Sequence, residues 1–171
     1  MLFRSEYALS LSSIHLKLGH FEEAVAHAEL ARERHPAKAK ILLGRIALEQ
    51  GRLAQAEEQA RAAMADVNER FSAAVLLAKV LTAQERFDEA LALVEQTRQE
   101  ASSSATGPVQ GLAFLRGDLL ARRGQNREAE KAFREEIRFF PRDRQTYANL
   151  ALLLMTEGKV EEARELLEQL A

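Results

Sequence analysis

GHFEEAVAHAELARERHP, residues Gly19 to Pro36, sets a glycine, two alanines and a proline at successive intervals of five, seven and five residues. GRLAQAEEQARAA repeats the first two intervals with Gly51, Ala56 and Ala63. GQNREAEKAFREEIRFFP carries Gly124, Ala129 and Pro141, with Glu136 where the second small residue falls. GKVEEARELLEQL gives Gly158, Ala163 and then Leu170. Between them, ERFDEALALVEQT keeps Ala90 but has Glu85 and Thr97 at the outer positions. The five anchors, at 19, 51, 85, 124 and 158, are separated by 32, 34, 39 and 34 residues. Such a period marks a repeat architecture.

An amphipathic run of helical spacing precedes each anchor, as in Leu42, Leu43, Ile46 and Ala47 before Gly51. Each unit therefore reads as helix, tight turn, helix. Glycine suits the turn because it tolerates positive φ where the first helix ends. Alanine follows because two closely crossing helices leave no room for a longer side chain. Proline disfavours helical geometry just before it and so closes the second helix. The residue preferences agree: Ala, Leu, Glu, Arg and Gln dominate, and no segment alternates with period two. The fold expected is all-α, about five antiparallel hairpins and ten helices in all; the family resemblance drawn below implies that they stack as a right-handed solenoid.

The chain has 171 residues, 47% hydrophobic and 29% charged, which suits one ordered domain rather than disorder. A net charge of −2 argues against a nucleic-acid partner. No apolar run is long enough for a membrane span. The start, MLFRSEYALS, lacks the pattern of a signal peptide. With no cysteine there is neither a disulfide frame nor thiolate chemistry. The compartment stays open, cytoplasm by default, with the periplasm admitted for a piece of an exported protein.

The pattern resembles the tetratricopeptide repeat family, whose unit is a helix hairpin of about 34 residues. Leu43-Gly44, Gly51, Ala56 and Ala63 carry the resemblance in the second unit. Gly117, Gly124, Ala129, Phe133 and Pro141 carry it in the fourth, and Tyr147, Gly158 and Ala163 in the fifth. It spans essentially the whole chain, and departs from the family pattern at Glu85 and Thr97. The units expected run over about residues 5–36, 37–70, 71–108, 109–143 and 144–171, forming a single domain that is expected to belong to a longer chain. In EASSSATGPVQG, Ser102 to Ser104, Gly107 and Pro108 break the helical pattern, giving a longer loop at about 101–108. It either lets the last two units rotate or belongs to a rigid stack.

Little in the chain suggests catalysis. His15, His20, His27 and His35 all lie in the first unit. His20 and His27, seven residues apart on one helix, are separated by about 10 Å of rise, too far to share a zinc ion. Phe21 takes the place of the glutamate that a metalloprotease motif requires. The pairs Glu22-Glu23, Glu57-Glu58, Glu135-Glu136 and Glu161-Glu162 recur on second helices, at what look like equivalent positions, and read as a solvated outer face. Arg127, Lys131, Arg134 and Arg138 form a stripe interleaved with glutamates, again a charged surface. The expectation is a non-enzyme with no metal and no cofactor.

Resemblance to the family implies a concave face lined by first helices, largely through the second, fifth, ninth and twelfth positions of each unit. Those positions give a candidate peptide groove of Leu9, Ser13, Ile41, Arg45, Val75, Lys79, Phe114 and Asp118. Leu9, Ser10 and Ser13 replace the Lys and Asn with which the family's best-known groove grips a terminal carboxylate. An apolar floor favours an amphipathic helix or a segment with aliphatic anchors; equally, these residues can pack between neighbouring first helices. The reading is therefore a protein-interaction scaffold for a protein or peptide partner. The alternative is an assembly module of a larger protein, a homodimer through an uncapped C-terminal face of Leu153, Leu166, Leu167 and Leu170.

Overall fold

The computed structural model describes residues 2–104 and 107–169. All regular structure among them is α-helical: α1 (Leu2–Lys17), α2 (Phe21–Ala31), α3 (Pro36–Glu49), α4 (Leu53–Ala63), α5 (Arg70–Ala83), α6 (Phe87–Ser103), α7 (Leu112–Arg122), α8 (Asn126–Phe139), α9 (Arg144–Thr156) and α10 (Val160–Glu168). Two compact units divide the chain within α6, at residues 1–89 and 90–171. In the first, α1 pairs with α2 and α3 with α4, and each pair packs on the next first helix. In the second, α7–α8 and α9–α10 pair in the same way.

The anchors all end their first helix by one hydrogen-bond pattern. The anchor amide donates three residues back, as Gly51 does to the Leu48 carbonyl, and the next amide donates five back, as Arg52 does to Ala47. Gly19, Gly124 and Gly158 close their turns identically. So does Glu85, whose amide donates to Thr82 while Arg86 donates to Leu81. Glu85 sits at φ 61°, beside 73° for Gly51, so an ordinary side chain is held in the left-handed region here.

Within the hairpins α1–α2, α3–α4, α7–α8 and α9–α10 the helices pack on each other, and small buried residues recur on both. Ala24, Ala56, Ala90, Ala129 and Ala163, five residues past the anchors, are all buried. Seven residues before the anchors stand Ser12, Gly44, Ala78, Gly117 and Ala151, also buried. In the first hairpin the two positions meet directly: the Ser12 hydroxyl donates to the Ala24 carbonyl at 2.8 Å. A Cβ on Gly117 would lie 2.6 Å from the Phe133 ring, closer than packed carbons approach.

Two expectations are corrected. Ser102 and Ser103 do not break the helix, for α6 runs through Ser103. The hydroxyls of Ser102, Ser103 and Ser104 donate back to the carbonyls of Arg98, Glu100 and Ala101, so these residues satisfy the helix end instead of opening it. The glutamate pairs are not one solvated face either. They fall three, six, eleven and three residues past their anchors, and of their members Glu57 is half-buried and Glu136 buried.

Glu57 fastens one hairpin to the turn of the next. One carboxylate oxygen accepts from Arg61, and the other from Gln84 and Arg86, both at 2.9 Å. Glu130, at the matching position after Gly124, likewise accepts from Arg134 and from Lys159 at 3.1 Å. The bonds from Gln84 and Arg61, with Arg86 beside them, hold the Glu57 carboxyl down at about 2 from an ordinary 4.5. A depressed carboxyl contributes stability that is fully present above 4.5 and is lost as pH falls towards 2. Thermal unfolding of the wild type and Glu57→Gln should therefore differ most above pH 5 (roughly, one half-unit above the free value). The gap should close progressively as the pH is lowered through that window.

Candidate functional site

The first unit presents a repeated face on α1, α3 and α5. Ten residues before each anchor stand Leu9, Ile41 and Val75, all half-buried, so each keeps an aliphatic edge in solvent. Six before each anchor stand Ser13, half-buried, and Arg45 and Lys79, both exposed. Leu16 is buried against Ala24 and Ile46, while Leu48 and Thr82 at the matching positions are half-buried. α1 contacts α3 and α3 contacts α5, so the six groove residues of this unit occupy neighbouring helices at matching heights. Aliphatic positions alternate there with two cationic ones.

The second unit treats its candidates differently. Phe114 is buried and its ring lies 6.0 Å from that of Phe133, inside the α7–α8 hairpin. Asp118 is half-buried and accepts from Arg122 at 2.9 Å. Of the C-terminal candidates, Leu153 and Leu166 are buried in the α9–α10 hairpin and Leu167 is exposed; Leu170 lies outside the described residues.

Sequence reasoning missed the role of Glu136. Its side chain is 1% exposed, the deepest carboxylate among the described residues. One oxygen accepts from the Gly111 amide at 2.6 Å, the other from the amides of Ala113 and Phe114 at 3.1 and 3.2 Å. These are first-turn N–H groups of α7, which have no partner within the helix, and a carboxylate also suits the positive helix end. Burial pushes its pKa up, and the three amides only partly offset this. Beside it opens a cavity of about 360 Å³, bordered by Arg98, Val109, Leu112, Phe139 and Phe140. The clue in the sequence was a glutamate standing where Ala31 and Ala63 stand in other units, next to the long insertion.

The one-helix estimate for His20 and His27 left out His15, which arrives from α1. Its ring stacks on His27 at 5.3 Å and 23°, and lies 5.7 Å from His20. Near-parallel stacking presents faces rather than converging nitrogens, and among the described residues no group of three histidine, cysteine or acidic side chains is placed to hold a metal ion. On the basic stripe, Arg134 pairs with Glu130 and Glu162, and Arg138 lies over the Phe139 ring at 5.5 Å. No helix among the described residues is long and apolar enough to cross a membrane.

The profile of a tetratricopeptide repeat-like domain matches residues 19–146, and that of a tetratricopeptide repeat matches 144–171. The chain belongs to the tetratricopeptide repeat family. Among solved structures it is similar to TTC0263, a thermophilic tetratricopeptide repeat protein of Thermus thermophilus. Their identity is 20% and TM-score 0.80, over 97% of this chain and 89% of that one. It is also similar to pilF of Pseudomonas aeruginosa, with 19% identity and TM-score 0.74 over 98% and 75% of the two chains. A MamA structure (MSR-1) follows at 20% identity and TM-score 0.56, over 98% and 94%. Among curated proteins none matches. At such identities the tetratricopeptide repeat fold is what is shared.

If Glu136 holds the start of α7, removing its carboxylate strands three amides in a buried place. Glu136→Ala should cost about 2–4 kcal/mol in urea unfolding. The neighbouring Glu135→Ala, on an exposed residue, should change stability by less than about 0.5 kcal/mol.

Proposed function

We propose that this tetratricopeptide repeat chain is a non-catalytic scaffold that holds a peptide or amphipathic helix against the first-helix face of residues 1–89. The observation that supports this most is the matched register of α1, α3 and α5. Leu9, Ile41 and Val75 give a row of partly open aliphatic side chains, and Ser13, Arg45 and Lys79 a parallel polar row. A helix with aliphatic residues three and four apart would seat its anchors on the first row, and its flanking acidic residues would meet Arg45 and Lys79. Protein partners are common for the family. The finer reading, a groove with this polarity, rests on those six side chains.

Two kinds of variant separate floor from rim. Arg45→Glu with Lys79→Glu alters exposed residues and should leave helicity intact while weakening capture of the partner from a lysate of the parent cells at least roughly tenfold. Ile41→Glu with Val75→Glu should abolish capture, with circular dichroism confirming the fold. Undiminished capture by both folded variants would sink the groove.

A further inference from the structure

We propose that the cavity beside Glu136 binds a small organic cation, an ammonium group carried on an aromatic body. The inference is independent of the first-helix groove, since the cavity lies wholly within residues 98–140. Its volume of about 360 Å³ is that of a small-ligand site. Residues 107–109 of the long α6–α7 connection and the start of α7 form one side, and the ends of α6 and α8 the others. Val109, Leu112, Phe139 and Phe140 give it an apolar lining. Phe139 is 46% exposed, so its ring is open to a ligand. Aromatic faces attract cations, and this ring already has the Arg138 guanidinium 5.5 Å from its centre.

Charge decides the class of ligand. Among the described residues, two carboxylates border the cavity, Glu135 and Glu136, against one cation, Arg98. Arg98 is already engaged, its Nε donating to Glu95 at 3.0 Å. Glu136 is turned to the amides of α7 and closed to solvent, so it acts through its charge, which those amides only partly compensate. Glu135 is exposed and has no ion-pair partner among the described residues, which leaves it free to meet a ligand. α6 and α8 both end here, at Ser103 and Phe139, and a helix C-terminus carries partial negative charge. The positive start of α7 is met by Glu136 itself. An anion would therefore face two carboxylates and two negative helix ends, with a single paired arginine in its favour. A cation meets the reverse, and gains the aromatic faces. The volume selects the body: a slender lysine-like chain leaves most of it empty, whereas an aromatic ring fills more and packs on Phe139 and Phe140.

A charge series on one apolar body tests this, followed through the backbone amide NMR signals of the 171-residue chain. Phenethylammonium should shift the amides of Val109, Ala113 and Phe140 saturably, with a Kd below about 1 mM. Phenethyl alcohol, of the same size but neutral, should bind at least roughly threefold more weakly, and hydrocinnamate, the anion, more weakly still. Glu135→Gln alters an exposed residue and should weaken the ammonium probe about threefold while leaving the alcohol unchanged. Nα-acetyl-lysine methylamide carries the same ammonium on a slender chain and should bind at least roughly threefold more weakly than phenethylammonium. Four results would overturn the proposal: no saturable shift with the ammonium probe, an alcohol or anion bound as tightly as the ammonium, a Glu135→Gln chain that treats the ammonium as the wild type does, or a lysine probe bound as tightly as phenethylammonium.

Discussion

The close crossing of the two helices in hairpins such as α1–α2 and α7–α8 is the contact on which everything else rests. A small residue seven before the turn faces an alanine five after it, and where the first of these is Ser12 its hydroxyl bonds to the opposing carbonyl of Ala24. At that separation the larger aliphatic side chains are displaced to either side of the contact, where they meet the neighbouring hairpins. Turn geometry serves the same end. The left-handed residue at each anchor reverses the chain within a few residues, so that the two small positions come opposite one another. Glu85 shows that the hydrogen-bond pattern dominates over residue preference, since it adopts φ 61° where four other turns use glycine.

Between hairpins the fastening is polar as well as apolar. Glu57 and Glu130 sit at one register position and reach the cation that follows the next anchor, Arg86 and Lys159. Each carboxylate is satisfied twice over, once along its own helix and once across to the next turn. The lowered pKa of Glu130 has the same origin as that of Glu57: burial raises it, and Arg134 and Lys159 together outweigh that. In the second unit, Glu136 brings a carboxylate into the position that the first two hairpins fill with Ala31 and Ala63. It uses that position to hold the start of α7, whose first turn follows the long connection.

Much of this was legible because repetition multiplies weak signals. One glycine or alanine says little, but five sets in register fixed the hairpins, the turns and the narrow contact. What repetition could not show was the singular. Glu136 looked like its exposed neighbour Glu135, since nothing in a linear reading brings it to the amide of Gly111, 25 residues earlier. The three serines of the insertion looked like a helix break, yet their hydroxyls turned inward to the helix end. His15 was invisible to a reading of one helix because its stacking partners lie on and just before the next. The interaction surface is the least legible for a physical reason. Packing constrains Ala56 or Phe133 tightly, whereas Arg45 faces solvent and is under no such constraint.

The division of labour follows: small residues at the crossings hold the fold, and the proposed partner surface is left to side chains of the first helices. Its first half is tested most directly by a double-mutant cycle at Gly117 and Phe133, where a Cβ would lie 2.6 Å from the ring. In urea unfolding, Gly117→Ala alone should lose about 1–3 kcal/mol from overpacking. In a Phe133→Leu background, which removes the ring, the same substitution should cost less by at least about 0.5 kcal/mol. Strictly additive losses, or a Gly117→Ala chain as stable as the wild type, would contradict the claim that this crossing sets the architecture.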